Sequence, residues 1–150
     1  MEYYDLKSKM AIFYKLDRFC DSRGWSLNDV FNKVPHVEVF QINYSLIYPG
    51  AIKAWHRHKH QDDYFCVLSG MAKVGVYTKE EGLEEYYTGE HNPGVVHISS
   101  GEWHGITALG TSPCHLLYFV TNKYNPHKPD EERAPWDSFD SGDWWKVENK

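Results

Sequence analysis

The sequence predicts an all-β protein, a single jelly-roll barrel, and three observations predict it. Short stretches of alternating apolar and polar residues recur along the chain, as half-buried strands require. Turn signals separate them at short, even intervals, at Gly70, Gly89, Pro93-Gly94, Ser100-Gly101 and between Gly110 and Pro113. No segment sustains a helical period; only "SLNDVFNK", which Ser26 can cap, suggests one short helical turn. Many short strands at even spacing make a sandwich or a barrel, and 150 residues suit one domain with its own core.

The elements follow in order. Residues 1–36 read as a lead-in with a turn at "DSRG". The barrel occupies 37–124. "VEVFQINYS" alternates cleanly, and "AIKAWHRH", "DYFCVLSG" and "MAKVGVY" follow as strands, the last two joined in a hairpin around Ser69-Gly70. "EEYYTG", "GVVHIS" and "CHLLYFVTN" complete the set. Residues 125–150 form a polar tail that carries Trp136, Trp144 and Trp145. Disordered segments are poor in aromatics, so this tail is expected to pack on the barrel.

Bulk properties narrow the function. A net charge of −5 with no basic block argues against a nucleic-acid partner. No apolar run reaches membrane-spanning length and the start lacks the pattern of a secretory signal, so no membrane partner is expected. Cys20, Cys66 and Cys114 lie far apart with no CxxC spacing, which reads as free thiols in a reducing cytoplasm. Aromatic residues make up 16% of the chain, enough for a sheet core or for a pocket that stacks flat rings.

The chemistry concentrates in "GAIKAWHRHKHQDDYFCVLSG", residues 50–70. Residues i and i+2 of a strand share a face, so His56 and His58 enter the barrel together. Gly50, His56, His58, Asp63 and Gly70 resemble the first motif of the cupins, with Asp in place of their usual Glu. "SSGEWH", ending at His104, resembles the second, with Ser99 where proline is usual. Together these imply a three-histidine, one-carboxylate set, His56, His58, Asp63 and His104, for one divalent transition metal such as Fe, Mn, Zn or Ni.

A longer resemblance covers most of the chain. "FCDSRGW", "QINYSLIYPGAIKAWH", "SGEWHG", "YFVTNKYNP" and "APWDSF" resemble, in order, elements of the dTDP-4-dehydrorhamnose 3,5-epimerase family, itself built on a cupin barrel. The resemblance implies epimerisation of a nucleotide-linked 4-keto-6-deoxysugar without a cofactor, at one or both carbons beside the ketone. It puts His56 at the base, Tyr118 at the acid, and Asp137 at the residue that orients the base after a one-place slip from Ser138. Substrate contacts fall on Arg23, Gln41, Asn43, Lys53, His58, Asp63, His104 and Tyr124. It also implies a homodimer in which the lead-in is the exchanged arm. Departures are visible. Lys53-Ala54 replaces an Arg-Gly pair, Asn28 replaces an acid, and Asp63 stands where the family has a lysine. Enolate stabilisation then falls to another group, such as His58 or Lys73. The two readings divide on His56, because a metal occupies the lone pair that a base needs. Three functions therefore stand: the epimerase, a metal-dependent isomerase or dioxygenase, and a sugar-nucleotide-binding cupin without catalysis.

Overall fold

The computed structural model describes residues 11–146. Twelve strands are β1 (Ile12–Lys15), β2 (Phe19–Asp21), β3 (Gly24–Ser26), β4 (Gln41–Ile47), β5 (Ile52–Arg57), β6 (Asp63–Ser69), β7 (Met71–Thr78), β8 (Gly82–Gly89), β9 (Gly94–Ile98), β10 (Trp103–Leu109), β11 (Cys114–Val120) and β12 (Glu132–Arg133). Ten of them form two five-stranded antiparallel sheets, ordered β1-β9-β6-β11-β4 and β12-β5-β10-β7-β8, while β2 and β3 form a separate hairpin. The inner faces meet in a core of Ile47, Phe65, Val67, Val74, Val76, Val96, Ile98, Ile106 and Leu116. This is the jelly-roll barrel, and the one helical element among the described residues is the short 3-10 turn Ser138–Asp140.

Four expectations change. The chain around Ser69-Gly70 is not a hairpin: β6 belongs to the first sheet and β7 to the second. Gly70 turns the chain between layers at φ +74, where an added Cβ would lie 2.4 Å from the Pro113 carbonyl oxygen. "SLNDVFNK" forms isolated turns instead of a helix, with Asp29 at positive φ interrupting the helical path. Its apolar residues Leu27, Val30 and Phe31 cover the outer face of the first sheet beside Tyr64 and Phe119. The lead-in also supplies a barrel strand, since β1 pairs with β9. Finally β10, not anticipated as a strand, is a central member of the second sheet.

The tail lies on the outer face of the second sheet. Trp55, pointing away from the barrel interior, is 1% exposed and Trp145 2%. Their rings sit 5.0 Å apart. The Trp55 indole N–H donates to the Trp136 carbonyl at 3.1 Å and lies 3.0 Å from the Ser141 hydroxyl. Just before this, β12 pairs with β5, matching Glu132 to Arg57 and Arg133 to His56. The tail thus covers the open side of β5, the strand that carries the first two histidines.

Candidate active site

Strand periodicity builds the site. On β5, Trp55 goes out under the tail and His56 goes in; His58 follows on the inner side. β10 pairs with β5 so that His104 lies opposite His56. Asp63 opens β6, in the facing sheet. The rings of His56 and His104 are 4.1 Å apart, and each is 5.6 Å from His58. One nitrogen or oxygen from each of His56, His58, Asp63 and His104 lies within 4.8 Å of all the others.

The hydrogen bonds around this cluster assign protons. A carbonyl oxygen only accepts, so Nδ1 of His58 carries the hydrogen it gives the Asp130 carbonyl at 2.5 Å. Nδ1 of His104 does the same to the Glu102 carbonyl at 3.0 Å. Both rings therefore turn Nε2 towards one carboxylate oxygen, Oδ2 of Asp63, at 3.5 and 3.2 Å. A neutral ring so fixed offers Asp63 a lone pair, not a hydrogen. The arrangement is balanced only by a second proton on a ring or by a cation shared among the four groups. Gln61 donates to the other oxygen of Asp63 at 2.6 Å.

Charge states follow from burial and these neighbours. Burial, reinforced by the adjacent His104, pulls His56 down to about 2, so its imidazole is neutral with a free lone pair at any working pH. Burial alone would raise Asp63, but His104 and His58 outweigh it and hold the carboxyl well below its usual range. His58 is opposed by burial and still raised, because Asp63 favours its protonated form.

The cluster borders a cleft of about 520 Å³. His56, His58 and Asp63 line it, while His104 sits behind them at 1% exposure. Tyr118 on β11 faces the same space, next to Phe65 at 5.7 Å between rings. Phe65 in turn touches His104 at 5.7 Å. Gln41, Asn43, Lys53 and Tyr124 line the cleft as well. Gln41 donates to Asn43 at 2.8 Å and accepts the Tyr124 backbone N–H at 2.9 Å.

Three expected residues lie elsewhere. Arg23 sits on the β2–β3 hairpin with its side chain 87% exposed, pairs with Asp21, and is outside the cleft. Asp137 is exposed at the start of the 3-10 turn on the far side of β5 and does not orient His56. The carboxylate beside His56 is Asp63. Lys73 points out of the barrel, where it is buried against Glu85 at 3.0 Å and lies 3.8 Å over the Trp144 ring. It cannot reach an enolate in the cleft.

The structure adds groups that sequence reasoning missed. Gln61, Lys123, Lys128, Asp130 and Arg133 line the cleft. Gln61 stands two residues before Asp63 on the same strand approach, which was the available signal. Lys123, Lys128 and Asp130 belong to a loop without periodicity, and only the pairing of the two-residue strand β12 with β5 brings Arg133 opposite His56.

Comparison with known proteins agrees with this architecture. The polysaccharide biosynthesis C-terminal domain family matches residues 20–132. The chain is 40% identical over 141 residues to the spore coat polysaccharide biosynthesis protein SpsL of Bacillus subtilis, covering 89% of this chain and 93% of that one. It is 42% identical over 112 residues to the probable low-salt glycan biosynthesis epimerase Agl13 of Haloferax volcanii, covering 70% of this chain and 72% of that one. Among solved structures, a dTDP sugar isomerase from Desulfovibrio desulfuricans superposes with a TM-score of 0.80 at 24% identity, over 92% of each chain. That likeness establishes the fold: a cupin jelly roll of the kind found in dTDP-sugar isomerases.

Proposed function

The chain belongs to the polysaccharide biosynthesis C-terminal domain family, and from that premise we propose that it is an isomerase acting on a nucleotide-linked 4-ketosugar, moving a proton at a carbon beside the ketone. One observation carries the reading. A half-buried cluster of three imidazoles and a carboxylate shares a polar cleft with the phenol of Tyr118, a group that can move a proton. The C–H bonds flanking a ketone are acidified, because the electron pair left behind is taken up by the carbonyl oxygen as an enolate. Epimerisation removes the proton from one face and returns one to the other. Tyr118 can give a proton to the carbon or hold one at the oxygen. Gln41, Asn43, Lys53 and Tyr124 offer polar, cationic and stacking contacts to the rest of the substrate. The description of Agl13 as a probable epimerase supports the reaction class, and the fold shared with dTDP-sugar isomerases supports the substrate class.

The same cluster supports a second reading for His56. Without metal, the neutral His56 lone pair is the base and Tyr118 the acid. The fixed Nδ1–H tautomers of His58 and His104, both facing an ionised Asp63, favour the alternative in which His56, His58, Asp63 and His104 hold one divalent transition metal. When bound, such an ion supplies a Lewis acid able to stabilise negative charge on the ketone oxygen. His56 is then a ligand, Tyr118 serves one face of the substrate, and proton transfer on the opposite face falls to another group lining the cleft, such as Lys53.

Two measurements test these statements. Nucleotide-linked 4-ketosugars are incubated with the protein in deuterated water and followed by NMR and mass spectrometry. Deuterium entering beside the ketone is expected; no exchange across a panel of sugars and nucleotides would leave a binding protein. Elemental analysis of the purified protein is expected to find about one transition metal per chain. An active protein free of metal would return His56 to the role of base.

A further inference from the structure

We propose that Asp130 is a positioning residue that sets the orientation of His58 within the cluster, acting from a strap that closes one side of the cleft. The inference rests on the reading of the four-residue cluster as the metal-holding reaction centre. Residues 121–131 run from the end of β11 to β12 without regular structure, and Lys123, Tyr124, Asn125 and Lys128 on this run line the cleft. The strap is tied at two points. Near its start, the Tyr124 backbone N–H donates to Gln41 Oε1 at 2.9 Å. Near its end, Asp130 makes three contacts with consecutive residues of the β5–β6 connection. Its carboxylate oxygens accept the backbone N–H groups of Lys59 and His60, each at 2.9 Å, and its carbonyl accepts Nδ1–H of His58 at 2.5 Å.

These contacts form one unit. The carboxylate grips the turn after His58, and that grip holds the Asp130 carbonyl in line with the His58 Nδ1–H. On the other side, the Gly101 N–H donates to the His58 carbonyl at 2.6 Å. His58 follows the last residue of β5, so the ladder to β10 no longer fixes it. Asp130 and Gly101 replace that support. A single carboxylate accepting two adjacent backbone N–H groups is a preorganised clamp, and the ring it orients presents Nε2 to Asp63. Alanine at 130 removes both acceptors from the turn. Asparagine retains one acceptor oxygen and puts an N–H₂ where the other oxygen stood.

The test uses the full-length chain, loaded with Co(II) as the probe, and compares Asp130→Ala, Asp130→Asn and a control, His127→Ala. His127 lies on the same strap, exposed and outside the cleft lining. Affinity comes from titration of the visible Co(II) bands, and their position and intensity report ligand geometry. Asp130→Ala is expected to weaken Co(II) binding about 10–100-fold and alter the spectrum, with Asp130→Asn between it and the parent protein and His127→Ala unchanged. Parent affinity and spectrum in Asp130→Ala would overturn the proposal. Failure of the parent protein to bind Co(II) would instead defeat the metal reading, and long-range ¹⁵N–¹H NMR of the imidazoles then decides. His58 held as the Nδ1–H tautomer in the parent protein and released in Asp130→Ala sustains the positioning role. The same tautomer held equally in both removes it.

Discussion

The neutral, half-buried His56 makes an acid-stability measurement informative about the site. Its folded-state pKa is pulled from an ordinary 6.5 to about 2. The unfolded chain therefore takes up this proton first as pH falls, so the contribution to stability is complete above about 6.5 and is lost progressively below it. Each pH unit of that window costs about 1.4 kcal/mol, so acidifying from about pH 6.5 to about pH 4.5 should remove roughly 2–3 kcal/mol. Neighbouring groups behave differently. His58 is raised, so its contribution is complete below 6.5 and is lost only as pH rises through its folded value. Asp63 is depressed, so its contribution is lost only as pH falls below 3.8. Glu102 is raised by burial from 4.5, which gives a slope of opposite sign in part of the window. Comparison with His56→Gln cancels that slope. The assay is urea unfolding of chelator-treated protein at several pH values. With a urea slope near 2 kcal/mol per molar, the parent midpoint should fall by about 1 M more than that of His56→Gln across the window. Equal falls in the two proteins would refute a neutral, desolvated His56 and with it both roles given to that side chain.

Other outcomes follow from separate parts of the molecule. Asp63→Asn removes the ionised ligand, and elemental analysis should find the bound metal lost while circular dichroism still reports a β protein. Tyr118→Phe keeps the ring against Phe65 but loses the hydroxyl, so turnover should slow by about 10²–10⁴-fold with little change in melting temperature; undiminished turnover would remove Tyr118 from proton transfer. An added Cβ at Gly75 would lie 2.7 Å from the Trp145 ring and 2.8 Å from the Trp144 ring. Gly75→Val is therefore expected to cost about 1–3 kcal/mol and lower the melting temperature by several degrees, with a changed tryptophan emission spectrum. Arg23 is committed to Asp21 within its own chain, so Arg23→Ala should weaken nucleotide-sugar binding only in an assembly that brings the hairpin to a second cleft. Light scattering is expected to find a homodimer, and an equal loss of binding in monomeric protein would show that the hairpin serves its own cleft.

The barrel was legible where one face of a strand is polar, as in β4, whose exposed Ile42 and Tyr44 alternate with cleft-facing Gln41 and Asn43. It was illegible in β10, where Gly105, Ile106, Thr107 and Ala108 are all buried. A strand covered on both faces loses its period of two. Gly70 was correctly read as a turn, but a glycine at positive φ does not say whether the next strand rejoins its own sheet or crosses to the other. The histidine cluster was legible because alternation puts His56 and His58 on one face and the second motif supplies His104. Asp137 was misplaced because a motif in a tail fixes order along the chain, not which face of β5 the tail covers. Asp130 left no trace at all: the contact that reaches His58 is made by its backbone carbonyl, which every residue possesses.

The pairing of β12 with β5 also sets an order of events during synthesis. β5 lies between β10 and β12 in its sheet, and both of those partners are translated after it. Until residues 130–145 emerge, a growing chain leaves the histidine-bearing strand as a bare sheet margin, with Trp55 uncovered and His58 without the Asp130 clamp. Exposed margins invite pairing with other chains. The nascent protein is thus vulnerable to self-association, and still unable to shape its reaction centre, just before this segment arrives. That single closing step ends both conditions together.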